Sequence, residues 1–579
     1  MKKKHMMRHI ATMILMMNLS LVACHPGNGG DVDVPPSPTT SEQLPWVSPI
    51  VEPEPTASPM PTATPAPVET PSPWPAPTIP LNTVGLKSQY IVGNLFHKLF
   101  KGTEEISDYQ SPDIISFGNP VDYSLLEGVT TFRGNHFRNS AAYGVRDVKE
   151  EKLEIIWNYG IGVIDNWPGV GWTGQPLLVH WPEDIRRLMN IREELKDKDL
   201  IEVIYATMDG NIYFLDLETG QPTRDSIHIG FPLKGTPSVD SRGYPVLYCG
   251  QGVNRNGDVY GSFQYRIFSL IDQSLLFQIP GSDPVSLRNW GAFDSSGLID
   301  HATDTLIQCG ENGLIYKVKL NTVFDKEAGT ISMDPEILKY QYRGVFSPRI
   351  GIESSPAIYR NLLYVADNGG LLQCIDINTM QPVWIADLKD DTDSTIVIEE
   401  TEAGVFLYTA NEVDNRCVAQ GTSFDYCNLR KFDALTGELI WQRDYRAVYT
   451  DPLVVGGALS TPVIGKNDIS DLVIFNIAKT NTWMDGKLVA LNKASGEEVW
   501  SIDLTYYSWS SPVDFLSSDG KTYMIFCDFN GDMHLIDPLV GRILDTVSLG
   551  RNVEGSPAIY GNTAVVGSYA LKIFGVRIK

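Results

Sequence analysis

Apolar and polar positions alternate in short runs along most of this chain, and turn residues cut the runs at regular intervals. Ser354 to Trp384 shows the unit most completely. Ser354-Ser355-Pro356 leads into a short apolar run, and Leu362 to Ala366 form a second after a turn at Arg360 and Asn361. Asp367-Asn368-Gly369-Gly370 is a hairpin signal, because Asn and Gly tolerate the positive φ that tight turns need. Leu371 to Ile377 alternate, Asn378 to Pro382 turn the chain again, and Val383-Trp384 begin a fourth run. Period-two alternation between such turns predicts four antiparallel strands. One sheet of this kind cannot bury both of its faces, so it requires neighbours of the same kind.

The unit recurs. Its opening tripeptides are Gly174-Gln175-Pro176, Gly235-Thr236-Pro237, Ser295-Ser296-Gly297, Ser354-Ser355-Pro356, Ser394-Thr395-Ile396, Ser460-Thr461-Pro462, Ser510-Ser511-Pro512 and Gly555-Ser556-Pro557. The third and fifth are degenerate; if they are discounted, the count falls from eight toward seven. Asp376 to Trp384, Asp433 to Trp441 and Asn492 to Trp500 keep one spacing between a turn residue and a Trp. Asp216 to Arg224 and Asp537 to Asp545 keep the spacing and lose the Trp. These Asp-x-x-Thr-Gly turns use a side chain to bond local backbone and a Gly to reach positive φ. The last unit has room for only three strands, Pro557 to Tyr560, Thr563 to Ser568 and Ala570 to Arg577. The early strand Leu153 to Tyr159 can supply the fourth, with Trp157 in the packing position, and so remove the open edge.

These repeats resemble the PQQ-like (quinoprotein-type) β-propeller repeat. Over roughly residues 130–579 the chain resembles propeller lipoproteins related to the scaffold lipoprotein of the outer-membrane β-barrel assembly machine. Phe132-Arg133-Gly134-Asn135, with Arg138-Asn139 after it, resembles the opening motif of that family. The expected fold is all-β: an eight-bladed propeller of four-stranded antiparallel blades, closed by an N-terminal strand.

The N-terminus changes the setting. Lys2 to Arg8 are basic, Ile10 to Val22 are apolar, and Leu21-Val22-Ala23-Cys24 resembles a bacterial lipobox. Residues 1–23 are read as a lipoprotein signal peptide, and by that resemblance Cys24 is the lipidated first mature residue. Residues 24–80 form a Pro/Thr-rich linker, since 17 of the 37 prolines fall between positions 25 and 80; such composition favours extended polyproline II over a packed core. Residues 81–129 are transitional, and Ser88 to Lys101 reads as an amphipathic helix through Ile91, Leu95, Phe96, Leu99 and Phe100. Residues 130–579 form the propeller, with a surface helix expected in the insertion Pro182 to Asp199. The implied location is extracytoplasmic, on a bacterial cell membrane through the lipid alone. The formal charge of −24 repels phosphate backbones and argues against a nucleic-acid partner. A monomer is expected.

Chemistry-bearing residues are sparse. Among the seven cysteines, Cys249, Cys309, Cys374 and Cys527 fall within strands and read as buried and inert. Cys417 and Cys427 flank an insertion, and a disulfide between them is expected in an exported protein. No Cys or His pair has metal-ligand spacing, and Asp528 to Asp532 lacks the downstream Glu of a calcium loop; no metal site is expected. In a propeller the first strand of each blade lines the channel, so the residue three before each opening Pro, or its equivalent, should sit at the mouth. That ring reads Thr173, Lys234, Asp294, Glu353, Asp393, Leu459, Trp509 and Glu554, with Trp167, Trp172, Trp290, Tyr506 and Tyr507 in the leading loops. Acids with aromatics at a concave mouth suit a cation, a sugar or a basic peptide; equally, they form a solvated ring whose aromatics fill the funnel. The favoured function is a non-catalytic binding or scaffold module with an envelope protein or glycan as partner and no cofactor. The alternatives are a quinoprotein dehydrogenase holding PQQ and calcium over the channel and a surface glycan-binding protein. The resemblance implies adjacent cysteines beneath the cofactor of the enzymes, and no such pair occurs here.

Overall fold

The alternating runs form strands, and the turns between them carry the chain around an axis. The computed structural model describes residues 95–579 except 166, 172–173 and 451–454. The signal segment, Cys24, the linker and the expected ring members Trp172 and Thr173 lie outside the described residues.

Eight sheets follow one another, each starting just after one of the opening tripeptides. Their innermost strands are Leu177–His180, Ser238–Val239, Leu298–Asp300, Ala357–Tyr359, Val397–Thr401, Val463–Ile464, Val513–Leu516 and Ala558–Tyr560. Both degenerate tripeptides open blades, so the count is eight. The tripeptides also explain their own Ser and Thr. The Ser355 N–H donates to Thr395 Oγ1 at 3.0 Å, that of Thr461 to Ser511 Oγ at 3.0 Å, and that of Ser511 to Ser556 Oγ at 3.1 Å. Each hydroxyl hooks one blade to its neighbour near the axis. Ser511→Ala removes one acceptor and leaves a buried N–H; a loss of about 1–3 kcal/mol is expected in urea denaturation.

Outside the axis, blades are joined by Trp against Gly. Trp384 Nε1 donates to Ala434 O, Trp441 Nε1 to Lys493 O and Trp500 Nε1 to Pro538 O, each in the following blade, at 2.9–3.0 Å. The ring faces lie on Gly437, Gly496 and Gly541, which have positive φ and where a Cβ would meet ring carbons at 2.6–2.8 Å. The turn Gly thus serves both its own backbone and the neighbour's indole. Gly437→Ala is expected to cost roughly 1–3 kcal/mol, read as a lower denaturation midpoint. The strand Leu153–Gly160 pairs antiparallel with Lys572–Ile578 and completes blade eight. Its Trp157 donates Nε1 to Leu217 O at 2.7 Å and covers Gly220 of blade one. This seam repeats the Trp–Gly joint found inside the chain.

Two sequence expectations need correction. Over Phe96–Lys101 the expected helix is a strand, paired antiparallel with Glu336–Arg343 at the outer edge of blade three. The free ladder of that edge offers backbone partners that an isolated helical stripe lacks, and tertiary pairing overrides the helical spacing. The insertion Pro182 to Asp199 forms two single-turn helices, Glu183–Arg186 and Glu193–Lys196. The Arg186 guanidinium ties them by donating to Trp181 O and Lys196 O. Ile185, Met189 and Ile191 are buried in blade one's core.

Before it closes the ring, the chain threads the axis. Glu127–Val129 pairs with the inner strand of blade one, and Ala142–Tyr143 pairs in parallel with that of blade eight. The residues between them form a plug that holds Thr130, Thr131, Arg133, His136 and Arg138 almost wholly buried. Arg138 donates Nε to Pro356 O at 2.8 Å, Nη2 to Ser296 O at 2.7 Å, and Nη1 to Phe132 O and Thr131 Oγ1. Arg133 donates to Pro512 O, Pro462 O and Arg138 O. A guanidinium presents five N–H donors in a fixed fork, so the pair gathers carbonyls from blades on opposite sides of the axis. Burial lowers both arginines to about 10, still charged at neutral pH.

Candidate functional site: the acidic channel mouth

Antiparallel blades dictate what reaches the mouth. The opening tripeptides lie there, and so do the turns between second and third strands. Below them the plug closes the axis, with Phe132 at the floor. Above it lies a cavity of about 30 Å³, lined by Phe132, Gly174, Gly235, Thr236, Asp294, Glu353, Ser355, Asp393 and Thr395. Volume of that order holds a water or two, or one small cation.

Of the expected ring, Asp294, Glu353 and Asp393 line this cavity, and Lys234 joins them through a 2.7 Å bond from Nζ to Asp294 Oδ2. Other described members are engaged elsewhere. Glu554 is buried and accepts from Asn552 Nδ2 at 2.9 Å and from the Tyr569 hydroxyl. Trp509 is buried beneath the Lys479 ammonium, 4.3 Å from the ring centroid. Trp290 packs edge-on against Phe263 at 4.8 Å, away from the cavity lining.

Three acids that the ring did not include complete the mouth. Asp294, Glu311 and Glu353 form one triad and Asp391, Asp393 and Glu412 another, with the carboxylate oxygens of each triad within 4.8 Å of one another. Glu311 and Glu412 stand where second strands end, at the mouth side. The order of strands in the repeat could have placed them there, whereas spacing from the opening Pro could not. In the first triad Arg288 Nη2 lies 3.3 Å from Glu311 Oε2, and Asn368 Nδ2 donates to Glu353 Oε1 at 2.8 Å.

Burial sets the protonation of these groups. It raises Glu311 well above the carboxylate range, with Glu353 and Asp294 adding repulsion. It also raises Asp294, against the pull of Lys234. Burial opposes the ionised Glu353 too, but Lys234 and Arg288 prevail and hold it low. In the second triad burial and mutual repulsion raise Asp391 and Glu412 strongly and push Asp393 up to about 8. Lys234 itself loses by burial and gains more from Asp294, Glu353 and Glu311, so it stays charged.

The sign of the pH effect follows. An unfolded Asp titrates near 3.9, so between about pH 4 and pH 8 the folded state holds a proton on Asp393 that the unfolded state releases. Stability from this group is complete in acid and is lost as pH rises through that window, at up to about 1.4 kcal/mol per unit. Asp391, Glu311 and Glu412 act in the same direction. A melting temperature that falls between about pH 5 and pH 8, and falls less in Asp393→Asn, is expected; a rise across that interval would contradict it.

The expected disulfide is absent. Cys417 and Cys427 are both free and buried. Cys417 lies on the helix Asn415–Gln420 and Cys427 in the strand Phe424–Asp433, and both turn their thiols into one apolar cluster with Ala410, Leu429 and Phe475. Burial keeps the Cys427 thiol up at about 12, which suppresses the thiolate needed for exchange.

Residues 344–518, spanning blades four to six and the start of blade seven, match the family model described as outer membrane protein assembly factor BamB. No curated protein sequence matches the chain. Similar solved structures include BamB from Moraxella catarrhalis, 14% identical over 74% of this chain and 98% of that one, with a TM-score of 0.45. The computationally designed Ika8 protein is 14% identical over 72% of this chain and 100% of its own, with a TM-score of 0.41. A europium-containing methanol dehydrogenase is 11% identical over 78% of this chain and 98% of that one, with a TM-score of 0.39.

Proposed function

We propose that this protein is a non-catalytic binding or scaffold module, held at a bacterial envelope by a lipid on Cys24 and presented on its proline-rich linker. The observation that carries the reading is the filled axis. The plug occupies the channel with this chain's own arginines and leaves a small cavity above it, which supports recognition at the surface over a cofactor held within the channel. The cysteines are dispersed, with no adjacent pair to lie beneath a cofactor. The filled axis and the dispersed cysteines favour this reading over a PQQ-dependent enzyme. Recognition then falls to surfaces. On the mouth face Tyr260, Phe346, Val418 and Trp483 are 40–65% exposed, an apolar rim around an acidic centre, as suits a protein partner. The match of residues 344–518 to the BamB family model supports the same class of function.

No helix among the described residues is long and apolar enough to cross a membrane; the basic segment, apolar run and lipobox at the N-terminus support a lipid anchor. Cys24→Ala is expected to move the protein from the membrane pellet to the soluble fraction, and unchanged pelleting would remove the anchor from this account. The scaffold reading is tested with a photo-crosslinking residue at Phe346 or Trp483 in living cells. Discrete protein adducts are expected there and not from Leu539, in a turn on the opposite face. Adducts from Leu539 alone would overturn the placement, and adducts to polysaccharide would favour the glycan reading.

A further inference from the structure

Among the described residues two ion pairs lie deepest. Arg224 and Glu202 have side chains 0% exposed, and Lys234 and Asp294 have side chains 3% and 5% exposed. The two differ in chemistry. A guanidinium keeps its proton in a protein, whereas a lysine amine can give one up and is then a nucleophile. Lys234 stands just before the tripeptide that opens blade two, and Asp294 just before the one that opens blade three.

The surroundings hold this pair in contact. Lys234 Nζ lies 2.7 Å from Asp294 Oδ2. At Gly252 a Cβ would come within 2.5 Å of Lys234 Cγ and Cδ and 2.7 Å of Asp294 Oδ1, so the absence of a side chain there lets both groups approach. A third group is in place. Arg288 holds Glu311 Oε2 at 3.3 Å. Glu311 Oε1 and Asp294 Oδ1 are buried, and neither accepts from an N–H or hydroxyl among the described residues. One proton on Glu311, which burial favours, serves both oxygens. In water, hydration holds an amine and a carboxyl as separate ions; burial has removed that hydration here. Fixed contact also replaces a bimolecular encounter.

We propose that Lys234 and Asp294 condense into an intramolecular amide between Nζ and Cγ, with Glu311 as the proton carrier. The ammonium passes one proton to Asp294 Oδ2 along the existing hydrogen bond, leaving a neutral amine and a carboxylic acid. Nζ then attacks Cγ while Glu311 protonates Oδ1. A second proton moves from Nζ to Oδ2, the Cγ–Oδ2 bond breaks and water leaves. Oδ1 returns its proton to Glu311 as the carbonyl forms again. The sum is one ammonium and one carboxylate converted to one amide and one water, with no change of oxidation state. Asp294 lines the cavity at the mouth, which gives the water a place to go. The product removes two buried charges and ties the loops that open blades two and three. It goes beyond the scaffold reading and does not depend on it.

The test digests the denatured full chain with trypsin and sequences the products by mass spectrometry. A branched peptide is expected: residues 225–242, uncut at Lys234, joined to residues 289–317 and lighter than the two together by one water. Free 235–242 should be nearly absent. Cleavage after Lys339, whose pair with Asp283 is shallower, is the control and should be complete. Lys234→Arg keeps the cation and should abolish the branch. Glu311→Gln, with a circular dichroism spectrum like the parent's, should lower it at least about tenfold. Separate, unmodified 225–234 and 235–242 from the parent would overturn the proposal. Loss of water at Asp294 without a branch, the mark of a succinimide, would overturn it too.

Discussion

Arg138→Ala should lower the stability of the whole ring by about 3–5 kcal/mol, a large fraction of the 5–15 kcal/mol typical of a folded domain. The side chain is fully buried and donates to four oxygens, two of them in the tripeptides that open blades three and four. Without it those carbonyls lose their donors in a place water does not reach, which costs more than the bonds themselves contribute. Arg138→Lys keeps the charge and loses the planar fork, so it should recover only part of the loss. Guanidinium chloride denaturation of the three proteins checks this. A change below about 1 kcal/mol in the alanine variant would mean that the plug is an ornament on a ring stable without it.

Trp157→Ala should be nearly as costly, about 3–5 kcal/mol, and should act at one place. Trp157 is the joint between the first and last parts of the ring: its indole covers Gly220 and bonds Leu217 O. The same truncation at Trp384 empties an equal volume inside continuous chain, where the flanking blades stay linked by the backbone. The two variants should therefore lose similar stability, while Trp157→Ala alone exposes Leu153–Gly160 to limited proteolysis. Cleavage at the same rate in both would contradict closure by this seam.

Much of this was readable in the sequence, for a physical reason. Repetition makes each weak local signal count eight times, so the Trp, turn Asp and Gly of one blade checked those of the next. The ring closure was legible because blade eight lacked a strand and Trp157 carried the right residue at the right distance from a turn. Elsewhere the local pattern misled. Phe96–Lys101 has helical spacing, but a free sheet edge claims it. Cys417 and Cys427 flank a loop, but their side chains share a core. The mouth was half legible. Counting back from the opening Pro reached Asp294, Glu353 and Asp393 because those positions share one local geometry. Glu311 and Glu412 come from the ends of second strands and Asp391 from the same loop as Asp393, two residues off the counted position; only the fold brings each triad within 4.8 Å. The plug left the faintest trace: Phe132 to Asn139 marks a motif, but nothing local says that its arginines bond carbonyls in blades hundreds of residues away.

The account turns on a channel filled by the chain itself, with binding at the surface around it. Calorimetric titration of the intact protein with PQQ and calcium chloride, followed by a dye-linked oxidation assay, tests that claim most directly. No saturable heat from PQQ and no dye reduction with alcohols or sugars is the predicted result. Stoichiometric PQQ binding accompanied by substrate oxidation would contradict it, because the cofactor would have to occupy the space that Phe132, Arg133 and Arg138 fill.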